Sequence, residues 1–260
     1  MIGFLLKKTF YDLWDNMFRI VLLNIGFFII VAFLVFIPSL AGNFFNSVPL
    51  AMVLSALGIL CCSTYLAAEA LCVSTISDYG IFGFKDFFRN LKTAWKPGLV
   101  AGLFVFILYI VVSLVMPFYL SIESPVGVAL TAVIFWVSVF AVLSFQFYFT
   151  VYSRLGKNLI KSLKKCIIIS LDNSGFSIFL LINNIIVLAL SVIFVFLFPG
   201  PAGVLLYLDE ALRIRILKYD WLEENPEANR RKIPWDAILI DEREKVGTRS
   251  FRHFIFPWKD

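Results

Sequence analysis

Four stretches of this chain carry no charged residue, and each is long enough to cross a lipid bilayer. They lie between Arg19 and Glu69, Lys96 and Glu123, Glu123 and Arg154, and Asp172 and Asp209. A hydrocarbon core about 30 Å thick needs roughly 20 apolar helical residues. The first and last stretches have room for two crossings, because Pro38, Gly42 and Pro49 interrupt one and Pro199-Gly200-Pro201 interrupts the other. Composition agrees: 60% of the 260 residues are apolar and 16% charged, against about 45–50% and 25% in soluble domains. Segments 98–120 and 176–198 are apolar on every side, unlike the one-faced helices of a soluble bundle.

The expected fold is therefore all-α: a polytopic helical membrane protein of about six transmembrane helices with two cytoplasmic amphipathic surface helices. The spans fall near 20–40, 48–66, 97–120, 126–151, 176–198 and, more briefly, 201–217. Residues 20–37 are too long for the roughly 7–15 residues of a signal peptide's apolar region. Asp12 and Asp15 also separate that run from Lys7 and Lys8, so it reads as a retained first span. Lys and Arg concentrate on one side: in the N-terminal segment, the loops holding Lys85–Lys96 and Arg154–Lys165, and the segment from Arg213. The opposite loops hold only Glu123. The positive-inside rule makes the basic side cytoplasmic, with both termini there.

Residues 84–95 place Phe84, Phe87, Phe88, Leu91, Ala94 and Trp95 on one helix face, with Lys85, Arg89 and Lys92 on the other. Such a helix suits an anionic membrane surface. Residues 159–164 repeat the residue classes of 87–92 at an offset of 72, which raises a duplication of span, surface helix and span.

Few residues here do chemistry. Cys61, Cys62, Cys72 and Cys166 match no metal-ligand spacing, His253 stands alone, and there is no phosphate-binding glycine loop. No catalytic residue, cofactor or metal is expected. The polar and charged residues at or near membrane depth are Asn24, Glu69, Gln146, Asn183, Asn184, Asp209, Glu210 and Arg213. Buried amides usually join helices, whereas intramembrane acids are candidates for a substrate or ion path. Asp209 and Arg213, four apart, are placed to pair on one helix face and ease the sixth span into the membrane.

Residues 1–218 thus form a transmembrane domain and 219–260 a polar cytoplasmic tail. In the tail a short helix between Pro234 and Gly247 is expected. Trp235, Phe251, Phe254 and Trp258 are candidate docking residues, on the protein itself or on a partner. The tail carries no net positive charge, which argues against nucleic acid.

One block of features comprises Leu23-Asn24 in the first span, Ser63-Thr64-Tyr65-Leu66-Ala67-Ala68 ending the second, and the Phe-rich basic run from Phe84 to Lys92. A second block adds the aromatic residues 145–152, Ser153-Arg154-Leu155 and the Lys-rich residues 157–170. Together they resemble the YesL-like family of bacterial membrane proteins. The resemblance spans about residues 10–218. Glu69 and the tail depart from it. It implies a bacterial membrane protein associated with carbohydrate uptake; the lack of catalytic residues and the few polar residues in spans three and four point to a non-enzymatic accessory or scaffold protein. The implied partners are the bilayer and an ABC-type sugar importer or other membrane protein. The alternative is a small-molecule transporter or channel subunit in its own right.

Overall fold

In a computed structural model, residues 1–44, 46–229, 232–247 and 249 are described. They are mostly helical, with no strand among them. Five helices are long and apolar enough to cross a membrane: Met17–Asn43, Val48–Ser77, Phe84–Leu120, Pro125–Arg154 and Ser174–Phe194. Four of the five expected spans before residue 199 fall inside these helices, and the fifth, 176–198, runs four residues past the end of its helix.

The elements are α1 (Ile2–Asp15), α2 (Met17–Phe44), α3 (Val48–Ser77), α4 (Phe84–Ile110), α5 (Met116–Leu120), α6 (Pro125–Phe145), α7 (Tyr148–Arg154) and α8 (Leu159–Asp172). They continue with α9 (Ser174–Ser191), α10 (Gly200–Glu224), α11 (Trp235–Ile238) and α12 (Ile240–Val246). A π-helical turn, Val111–Val115, joins α4 to α5.

Packing is uneven along the bundle. At the end carrying the basic loops, called the base here, α1, α7, α8, α10, α11 and α12 close around the lower parts of α3 and α9. The largest apolar cluster lies there, with Leu5, Phe147, Tyr148, Val151, Leu180, Leu212 and Leu239 fully enclosed. Away from the base, side chains such as Phe33, Phe36, Met52, Phe118 and Trp136 are exposed. Large apolar side chains left exposed over whole helices fit a hydrocarbon surround rather than water. The 30-residue α3 is about 45 Å long, so it outruns the hydrocarbon core by about 15 Å.

Three expectations need correction. The sixth expected span is not among the helices long and apolar enough to cross. Asn24, near the start of α2, donates to Leu197 O at 2.9 Å and Pro199 O at 2.8 Å, and accepts from Ala202 N at 3.0 Å. The turn between α9 and α10 therefore stops level with the first third of α2. The remaining 20 residues of α2 run on for about 30 Å. Gly200, at φ 61°, fits tightly here, because a Cβ would lie 2.5 Å from Asn24 Nδ2. Enclosed by neighbours, α10 needs no continuous apolar surface, and it runs unbroken past residue 218 to Glu224.

The first surface helix is likewise not separate. Residues 84–95 form the opening turns of α4, which continues through Pro97. Gly98 lets α4 approach α3 closely, since a Cβ there would lie 2.5 Å from Thr64 Cα. The second surface helix, α8, is separate and ends at Asn173. Last, α1 was not foreseen as a packed element, yet Phe4, Leu5, Lys8, Thr9 and Tyr11 are buried.

Candidate functional site: the charged base

Five helices, α1, α3, α7, α10 and α12, meet in a cluster of ion pairs. Arg154, closing α7, lies beside Ser77 and Asp78 at the end of α3 and reaches Asp209 on α10. Its Nε donates to Asp209 Oδ1 at 3.0 Å and Oδ2 at 2.9 Å. Its Nη2 donates to Ser77 Oγ at 3.0 Å and its Nη1 to Asp78 Oδ1 at 3.1 Å. Asp209 is wholly buried. A bidentate arginine is among the stronger arrangements for holding a buried carboxylate.

One turn along α10, Arg213 donates to Ser77 O at 3.0 Å, pairs with Asp78, and reaches Glu242 Oε1 of α12 at 2.8 Å. The expected Asp209–Arg213 pair does not form. Each residue instead finds a partner far away in sequence, because neighbouring elements approach α10 on different sides.

A third cation completes the cluster. Lys8 of α1 is buried, and its Nζ donates to Asp12 at 2.5 Å, Ser77 O at 3.1 Å and Glu210 Oε1 at 3.5 Å. Thr9 hydrogen-bonds the other Glu210 oxygen. The last carbonyls of α3 carry the negative end of its dipole, where cations are favoured. Asp209, Glu210 and Arg213 therefore lie at the base, beside the end of α3.

Tyr79 occupies the middle of this arrangement, with its backbone in the left-handed region at φ 61°. The Lys8 ammonium lies 4.3 Å from its ring centroid and the Arg213 guanidinium 5.5 Å. Its hydroxyl donates to Glu242 Oε2 at 2.9 Å. Burial, with the Glu242 hydrogen bond, raises the Tyr79 hydroxyl well above the usual tyrosine range. Burial alone would raise Glu242, but the hydrogen bonds from Arg213 and Tyr79 bring it below the usual carboxylate value.

The C-terminal segment folds back onto this base. Trp235 opens α11 and Gly247, at φ 75°, follows α12, as the Pro-to-Gly reading expects. Leu239 is fully buried, and Lys7 Nζ donates to Gly247 O at 3.1 Å. The Arg215 guanidinium packs 3.8 Å from the Phe176 ring centroid and 5.5 Å from that of Trp235. Trp235 thus docks on the protein itself. Phe251, Phe254 and Trp258 lie outside the described residues.

The remaining candidates stand apart. Gln146 Nε2 donates to Ser177 O of α9 at 3.0 Å, joining two helices. Asn184 is buried with Oδ1 unpartnered, and Asn183 is half-buried beside it. Glu69 is wholly buried within α3, and neither carboxylate oxygen has a hydrogen-bond partner. No group of three or more potential metal ligands occurs among the described residues. Burial raises the Cys166 thiol to about 12, which leaves it unreactive.

Lys8, Thr9, Asp12, Asp78, Tyr79, Arg154 and Glu242 belong to the cluster, and sequence reasoning did not single them out as site residues. Arg154 was visible as the charge closing an apolar stretch, but its partners were not. Comparison of the chain with protein-family models, with curated proteins and with solved structures returns no match. Its reading rests on the geometry above: a multi-pass helical membrane protein with a cross-tied, charged base.

Proposed function

We propose that this chain is a non-enzymatic accessory or scaffold protein of a bacterial cytoplasmic membrane, with base and termini cytoplasmic, accompanying a carbohydrate importer. The reading is supported by one observation above others: the base is braced by ion pairs linking α1, α3, α7, α10 and α12. Such bracing suits a platform that presents fixed surfaces to a partner. The basic loops support a cytoplasmic base. The resemblance to YesL-like proteins supplies the link to sugar uptake and the ABC-type partner.

The alternative is a small-molecule transporter or channel subunit. Glu69 favours it, because a buried carboxyl with no partner in a candidate span is costly unless it has a task. Affinity purification in mild detergent separates the two. The accessory reading expects permease subunits of a sugar importer to co-purify in near-stoichiometric amount. Purification alone, together with solute flux in liposomes that Glu69→Gln abolishes, would establish the transporter instead.

A further inference from the structure

A groove of about 580 Å³ runs between α2 and the opening turns of α4, with Tyr65 of α3 among its walls. Leu22, Ile30, Phe88 and Leu91 line it, and Arg19 is the one charged residue among its lining. The groove has a direction. Arg19 stands near the start of α2 and Ile30 lies eleven residues further on, about 16 Å along the helix. One end is thus cationic and near the base, and the other is apolar and lies toward the bundle's lipid-facing part. Gly26 keeps the middle of the wall narrow, since a Cβ there would lie 2.1 Å from the Tyr65 hydroxyl oxygen. That hydroxyl is already committed to Leu23 O at 2.9 Å.

We propose that this groove binds an anionic glycerophospholipid of the surrounding bilayer, with its phosphate at Arg19 and an acyl chain along Leu22, Ile30 and Leu91. The polarity of the groove matches that of a lipid in one leaflet: charge at the surface and hydrocarbon inward. Its walls belong to three candidate spans, so a membrane lipid reaches it laterally. Arg19 gives one N–H to Asn16 Oδ1 at 2.8 Å, and the rest of the guanidinium stays available to a phosphate. Lys85 and Lys92 stand on the other face of α4 from Phe84, Phe88 and Leu91, so Arg19 alone sets the preference of the groove for an anionic over a zwitterionic headgroup.

Native mass spectrometry of the detergent-purified full chain tests this, after incubation with phosphatidylglycerol or phosphatidylcholine of the same chain length. Phosphatidylglycerol is expected to be retained about fivefold more strongly. Arg19→Gln should erase that preference, while Arg19→Lys should keep most of it. Leu91→Trp, which fills the groove, should release both lipids from a chain that still elutes as a monodisperse species. Free glycerol phosphate should not displace bound lipid, because the acyl chain supplies much of the binding. Equal retention of the two lipids by the unaltered chain, or an undiminished preference in Arg19→Gln, would overturn the proposal. Displacement by glycerol phosphate would also overturn it, by reducing the site to a headgroup contact.

Discussion

Arg154 holds Asp209 by both carboxylate oxygens, across 55 residues of sequence, and so joins the end of one candidate span to the first half of α10. Asp209 is fully buried and Arg154 nearly so. Losing either partner strands the other charge. Asp209→Asn and Arg154→Gln should each cost about 3–5 kcal/mol. The double variant should lose less than the sum, with a coupling of about 1–3 kcal/mol. Thermal unfolding in detergent reads the cycle. A cycle between Asp209 and Arg213 should show clearly weaker coupling, since those two residues do not touch.

Asn24 fixes the top of the half-span. Its side chain makes three hydrogen bonds to the backbone of the turn between α9 and α10. Asn24→Ala leaves buried backbone groups without partners, at about 1–3 kcal/mol for each group left unsatisfied. Gly200→Ala should destabilise in the same sense, because a Cβ there has no space. Both should lower the unfolding midpoint, and combining them should add little, since they disrupt one contact.

Docking of α12 should depend on pH through Glu242. Its folded pKa is depressed by Arg213 and Tyr79, in spite of burial. A depressed carboxylate contributes stability above its unfolded value, near 4.5, and loses it as pH falls through the lower folded value. A spin label at Asp241→Cys should be restrained at neutral pH and loosen only below about 4.5. Adding Glu242→Gln should loosen it at neutral pH. Loosening that begins as pH rises toward neutrality would contradict the assigned sign.

Glu69 behaves differently from the paired acids. With no partner for either oxygen, its burial costs stability rather than adding it. Glu69→Leu should raise stability, on the order of 1 kcal/mol. Under the accessory reading it should leave partner co-purification unchanged. A loss of stability would mean that the carboxyl has a partner the structure does not hold.

What the sequence made legible follows from where the deciding forces act. Charge-free runs report directly on hydrocarbon, so α2, α3, α4, α6 and α9 could be located from spacing alone. The 3.6-residue pattern marked one face of residues 84–95, of which Phe87, Leu91 and Ala94 pack against the bundle while Phe84, Phe88 and Trp95 are exposed. It did not reveal continuity through Pro97, which depends on Gly98 packing against Thr64. The fate of residues 201–217 rests on Asn24, which meets them only after folding. The pairing of Asp209 failed for the same reason: helical spacing proposes Arg213, while tertiary contact delivers Arg154. In α1, the buried Lys8 lies among Phe4, Leu5 and Tyr11, and a cation on the inner face hides an otherwise regular pattern. Trp235 was legible as a docking residue, but its position over Arg215 was not.

The central claim is a bundle whose base gathers α1 and the helices α10, α11 and α12 on one side, the side that the proposed function places in the cytoplasm. Labelling of single cysteines in intact cells, in a background lacking Cys61, Cys62, Cys72 and Cys166, tests it most directly. The account predicts that Glu123→Cys reacts with a membrane-impermeant maleimide from outside. Lys92→Cys, Lys161→Cys and Asp241→Cys should react only after the membrane is opened. Outside labelling at residue 241 while residues 92 and 161 stay protected would contradict the account, because α12 would then lie on the opposite side from the base it is said to close.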